Sequence, residues 1–147
     1  MLRNVIAGFA LLVAGASTHA ADVYKVDMTV SRGGVVVGKP SVRVVADKVA
    51  DLTMTPPRPP ETQALRVSVS VAPGTQAGTI GVHLMIFDWR AGEWTLRSEP
   101  DVVAWTGKVA TVDIAGGKDD ASAAPIHVAL KVTPELSTSA SDAAAGT

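Results

Sequence analysis

His83 and Met85 stand two residues apart in a stretch of alternating polarity, so in an extended chain both side chains leave the same face. An imidazole beside a thioether suits copper, above all Cu(I), which soft ligands favour. His127 lies on the polar side of the last apolar stretch and would complete the ligand set if the two stretches paired. Met28 and Met54 are further thioethers within reach of such a cluster, although Met28 falls on the apolar face of its own stretch. The competing role is structural: Met85 as ordinary packing and both histidines half-exposed on a sheet.

Trp89 and Trp94 flank Arg90-Ala91-Gly92, a sequence suited to a three-residue hairpin loop with glycine in the left-handed position. Indole and guanidinium side chains anchor interfaces because they bury large, rigid surfaces. Trp89, Arg90 and Trp94 therefore read as a binding hairpin for a protein partner or a stacked sugar ring, with Arg97 nearby. The alternative is that at least one indole fills the core, its N–H bonded to a carbonyl. Asp113, Asp119 and Asp120 could offer oxygens to calcium, but their spacing matches no calcium loop.

Signatures of catalysis are missing. The chain contains no G-x-S-x-G elbow, phosphate-binding glycine loop, H-E-x-x-H or EF-hand loop. Serines and aspartates are too common here for any Ser-His-Asp set to be singled out. There is no cysteine, which removes a thiolate nucleophile, a disulfide framework, a cysteine zinc site and a lipidated cysteine. The expectation is a binding protein without catalysis and without a cofactor, with a copper-binding protein as the alternative.

The elements that must position these residues are strands. Tyr24, Val26, Met28 and Val30 alternate with polar residues, Arg32-Gly33-Gly34 makes a turn, and Val35-Val36-Val37 follows. Val42, Val44 and Ala46 alternate after Pro40, and a further short strand is expected over residues 48–54. Pro56-Pro57-Arg58-Pro59-Pro60 cannot be a central strand, since proline lacks the N–H donor, and reads as a stiff crossover between two sheets. Leu65 to Val71, Ile80 to Trp89, Trp94 with Leu96, Val102 to Trp105, Val109 to Ile114 and Ile126 to Val132 supply the rest. Ile80, Val82, Leu84 and Ile86 form one face of their strand, yet the other face is also largely apolar, so this strand is central or covered by a loop or partner. No internal repeat is expected. Seven or eight short strands predict a single antiparallel β-sandwich of Ig-like or Greek-key topology, with a small β-barrel as the alternative.

Val26-x-Met28-x-Val30, then Gly33-Gly34-Val35-Val36-Val37-x-x-Pro40-x-Val42-x-Val44, resembles the opening strands of small uncharacterised exported proteins of Gram-negative bacteria. The resemblance implies a periplasmic setting and no activity, and no site residue comes with it. Residues 1–20 agree: Arg3, an apolar run from Val5 to Ala16 and a small residue at Ala20 form a Sec-type signal peptide cleaved near Ala20. That run is too short to span a bilayer, which takes about 20 residues. Residues 22–134 then form the sandwich, and the Ser/Ala/Thr-rich residues 135–147 a disordered tail. With 13 basic and 14 acidic residues in the whole chain, charge offers no footprint for nucleic acid. The expected partner is another envelope or secreted protein, met by a mature chain that does not span the membrane.

Overall fold

The computed structural model describes residues 22–55, 64–116 and 124–136. Valine-rich alternation becomes ten strands, with no helix among the described residues: β1 (Val23–Arg32), β2 (Val35–Gly38), β3 (Ser41–Val45), β4 (Val49–Met54), β5 (Leu65–Pro73), β6 (Thr79–Arg90), β7 (Glu93–Ser98), β8 (Asp101–Trp105), β9 (Val109–Ile114) and β10 (Ile126–Glu135). Branched side chains fit a pleated, half-buried surface, and here they line two antiparallel sheets. The first sheet runs β2-β1-β10-β9, with β3 also on β1; the second runs β4-β5-β6-β7, with β8 also on β6. This is the predicted antiparallel sandwich rather than a closed barrel. The strand count is higher than expected because two long edge strands are each broken at a proline. Pro40 parts β2 from β3 and Pro100 parts β7 from β8, each lying where a ladder N–H would otherwise be required.

Tyr24, Val26, Met28 and Val30 from β1 meet Val128, Leu130 and Val132 from β10 in the core. Leu65, Val67, Val69 and Val71 from β5 and Ile80, Val82, Leu84 and Ile86 from β6 close it from the other sheet. The apolar faces of the two sheets thus pack on one another, and period-two alternation sends the intervening residues outward.

The chain changes sheets at two tight arches, 46–48 and 106–108. Asp47 and Gly107 take positive φ there, 61° and 71°. Their amides bond across to the opposite sheet, Asp47 N to Val71 O and Gly107 N to Val132 O, both at 2.9 Å. The expected proline crossover is therefore misplaced. Residues 56–60 lie outside the described residues, but the flanking β4 and β5 are hydrogen-bonded neighbours in one sheet. The hairpin at Trp89 also differs from expectation. Arg90 pairs with Glu93, leaving a two-residue turn of Ala91 and Gly92, both at positive φ (50° and 83°). That is the geometry in which turn twist matches strand twist.

The two halves of the chain are built alike, contrary to the expectation of no repeat. The β1–β3 register Val26↔Val42 is matched by Val82↔Val102 between β6 and β8. Met28↔Leu130 between β1 and β10 is matched by Leu84↔Val69 between β6 and β5. Leu52↔Val67 between β4 and β5 is matched by Val112↔Val128 between β9 and β10. The bonds outside the ladders repeat as well: Ala46 N to Asp22 O with Thr106 N to Gly78 O, and Met28 N to Pro40 O with Leu84 N to Pro100 O. Strands β1 to β5 thus correspond in order to β6 to β10. Each half gives three strands to one sheet and lends its last two to the other. Identical residues stand at Pro40 and Pro100, Val42 and Val102, Lys48 and Lys108, Val49 and Val109, Ala50 and Ala110, and Pro73 and Pro134. The repeat is hard to see in the sequence because its signal is mostly valine, which alternation alone accounts for.

Candidate binding face

Strand β6 is the centre of the second sheet, paired with β5 on one side and with β7 and β8 on the other. Its inward residues end at Asp88; its outward residues are Gly81, His83, Met85, Phe87 and Trp89. Leu96 lies opposite Phe87 and Trp94 opposite Trp89 in β7, so five large apolar side chains share one outward patch. The two indoles meet edge to face, centroids 5.1 Å apart and planes at 64°. Neither belongs to the core, so no indole fills the interior, and Leu96 is 48% exposed. From β5, the Arg66 guanidinium lies 5.7 Å above the Phe87 ring and 3.2 Å from Asp51. Ser68 donates a hydrogen bond to Asp51, which with Arg66 holds that carboxyl below its ordinary range, the Ser68 bond being the larger cause.

Arg90, grouped with the two indoles in the sequence, turns its guanidinium inward to Asp88 at 3.3 Å. It shares that carboxylate with Arg97 at 3.4 Å and Arg32 at 2.6 Å. A bulge between β6 and β7 turns Arg97 inward, where it also donates to Ala124 O. The sequence signal for this cluster is an aspartate at the end of the inward series Val82-Leu84-Ile86. Met85, Phe87, Leu96 and Arg66 were missing from the predicted binding set, although a strand apolar on both faces pointed to the first two.

His83 and Met85 do share a face, but His127 does not join them. His127 projects outward from β10 in the first sheet, and His83 outward from β6 in the second, so the packed core separates them. Sheets pack about 10 Å apart, far beyond the reach of one ion with bonds near 2 Å. Met28 and Met54 are both buried in the core. Among the described residues no three His, Cys, Asp or Glu side chains could hold a metal. His83 is committed instead to Asp101 through Nδ1 at 2.7 Å and to Glu99 through Nε2 at 3.1 Å. These contacts raise its pKa, the Asp101 hydrogen bond first. His127 Nδ1 lies 2.6 Å from Asp113, the one described member of the proposed calcium set; Asp119 and Asp120 are outside the described residues.

Cross-strand register also creates two rows of serine, histidine and aspartate. Ser70, His83 and Asp101 are neighbours on the second sheet, and Ser31, His127 and Asp113 on the first. Among the described residues each histidine bonds its aspartate, His83 to Asp101 and His127 to Asp113, and neither is hydrogen-bonded to its serine. Comparison with known proteins returned no matching family model, no matching curated protein and no matching solved structure.

Proposed function

We propose that this is an exported, non-catalytic binding protein that docks another envelope or secreted protein on the outer face of its second sheet. The observation that carries this reading is the contrast between the halves. Where the second half presents Met85, Phe87, Trp89, Trp94 and Leu96, the equivalent places in the first hold Thr29, Ser31, Gly33, Gly34 and Val36. The first ladder ends at Arg32 opposite Val35, with Gly33 and Gly34 in its turn, while the second runs on through Trp89 and Trp94; where the two correspond, the first forms with Thr29 and Ser31 in place of Met85 and Phe87, which supports a use beyond folding. Apolar and aromatic side chains ringed by polar ones are the usual anatomy of a protein interface. Indoles set at 64° do not offer two coplanar rings to a flat sugar, which favours a protein over a polysaccharide. Among the described residues β8 pairs only with β6, and its other side, with Val103 and Trp105 exposed, offers a second means of contact by strand addition. The leader-like residues 1–20 support a partner outside the cytoplasm.

The test is capture from a native envelope extract. The full mature chain is compared with a variant carrying Met85→Thr, Phe87→Ser and Trp94→Ser. A partner retained by the first and lost by the second supports the reading; equal capture, or none, removes it.

A further inference from the structure

Strand β8 lies at the edge of the second sheet, and the bonds at its two ends fix which way its backbone points. Leu84 N donates to Pro100 O at 3.0 Å and Thr106 N to Gly78 O at 2.9 Å, both in phase with the β6–β8 register. Opposed residues in an antiparallel ladder alternate between hydrogen-bonded and non-hydrogen-bonded pairs. Pro100, Val102, Ala104 and Thr106 therefore turn their backbone groups toward β6, while Asp101, Val103 and Trp105 turn theirs to the open side. Lys108 N donates to Trp105 O at 3.0 Å. Among the described residues no other strand pairs with this outer side. The side chains of the same three residues are exposed: Val103 is 72% and Trp105 53% exposed, and the Asp101 side chain 83%.

The first half shows how such an edge is closed to other chains. Its counterpart, β3, has Ser41, Arg43 and Val45 where β8 has Asp101, Val103 and Trp105. Arg43 stands at the middle of that edge and pairs with Glu135 at 2.9 Å. A charged side chain in the middle of an edge strand opposes pairing with another chain. Strands β4 and β9, also paired on one side only among the described residues, carry Asp51 and Asp113 within their lengths. β8 has no charge after its first residue. The segment is also its own complement. Of the antiparallel registers, the one that sets Val103 opposite the partner's Val103 pairs all three outward-turned residues. Each Asp101 then faces the partner's Trp105, whose indole N–H is a donor. Asp101 already holds His83 Nδ1 through Oδ1 at 2.7 Å, which leaves Oδ2 for that indole. The register that sets one Asp101 against the other would oppose like charges. With 13 basic and 14 acidic residues, the net charge of the chain does not resist self-association.

We infer that two copies of this chain pair edge to edge through β8, antiparallel about Val103, and join their second sheets into one continuous sheet with two-fold symmetry. The dyad runs perpendicular to that sheet, so outward residues stay outward and both aromatic patches look out of the same side. The inference takes up the strand-addition contact of the reading above and uses no residue of the aromatic patch.

It is tested by sedimentation equilibrium of the full mature chain from about 1 µM to about 1 mM, the affinity range expected of a small interface. A monomer–dimer equilibrium is expected, with ¹⁵N NMR shifts on dilution centred on the amides of Asp101, Val103 and Trp105. Val103→Pro removes an N–H that faces the open side, so the β6–β8 ladder is expected to stay whole while the dimer is lost. Val103→Arg, the residue of the first half, is expected to weaken the dimer at least roughly tenfold, because it opposes like charges across the dyad and removes a valine pair. If the proline variant does not fold, the arginine variant decides. The variant Met85→Thr, Phe87→Ser, Trp94→Ser is expected to dimerise as the parent does, so failure of the edge and failure of the aromatic docking reading are separable. A chain that stays monomeric throughout overturns the proposal and leaves the edge to a strand of another protein. Dimers that survive both Val103 substitutions, dimers lost in the triple variant, or dilution shifts centred away from β8 also overturn it.

Discussion

Arg32 and Asp88 hold the same ladder position in the two halves, one opposite Ile126 and the other opposite Leu65, and they bond to each other at 2.6 Å across the sandwich. Two identical halves would bring like residues together here, so the pair records divergence between them. Their side chains are only 11% and 2% exposed, and Arg97 and Arg90 complete the cluster around the carboxylate. Among the described residues Arg32 Nη1 is buried without a hydrogen-bond partner, and Asp88 is the one carboxylate that the three guanidinium groups share.

Asp88→Ala is therefore expected to cost about 3–5 kcal/mol, because buried guanidinium groups lose their counter-charge. The triple variant Arg32→Met, Asp88→Leu, Arg97→Met, which removes both buried guanidinium groups with their carboxylate, should recover much of that loss, since apolar replacement of a whole buried ionic cluster is often neutral. Urea unfolding with a shifted midpoint and unchanged slope is the measurement.

A second expectation concerns pH. The pKa of His83 is raised in the folded state, first by the Asp101 hydrogen bond and then by the charges of Asp101 and Glu99. Its contribution to stability is then fully present below the unfolded value near 6.5 and lost as pH rises through the higher folded value. Removing the carboxyl with Asp101→Asn should lower the His83 midpoint in an NMR titration and flatten stability across that window.

Carboxylates act in the opposite direction. Asp27 and Asp51 are both held below their ordinary value of 3.8, first by hydrogen bonds from Ser41 and Ser68 respectively. Their contribution is present above that value and lost as pH falls through the depressed one. Ser68→Ala should raise the Asp51 midpoint, read by carboxyl NMR, while leaving that of Asp27 in place.

The turns give a fourth test, with opposite signs at two hairpins. Ala91 sits at φ 50°, so Ala91→Gly is expected to stabilise by about 1 kcal/mol. Gly33 sits at φ 55°, and a Cβ there would lie 3.3 Å from that of Ala124, so Gly33→Ala should destabilise by about 1–2 kcal/mol. Thermal melts of the two variants decide it.

Much of the fold was legible because alternation is a local property. Val109–Ile114 was read with the observed bounds, and the inward series of β1, β5, β6 and β10 were read residue by residue. Sheet membership was not legible. Whether the chain changes sheets at Asp47 or at the prolines depends on a bond from Asp47 N to Val71 O, between residues 24 apart (71 − 47). The site was half legible for the same reason. Trp89 and Trp94 announced themselves by type and spacing, but joining them to Leu96 and Arg66 needed cross-strand register. Placing His127 beside His83 assumed that their strands pair, and they lie in different sheets.

The central claim is that the aromatic patch exists for a partner and not for the fold, and the unfolding free energy of Met85→Thr, Phe87→Ser, Trp94→Ser tests it most directly. Met85→Thr and Phe87→Ser install the residues found at Thr29 and Ser31 of the first half, and Trp94→Ser removes one indole. The account expects a loss of no more than about 2 kcal/mol in total, from strand propensity and partial burial. A loss of roughly 6 kcal/mol, as for three side chains fully committed to packing, would contradict it.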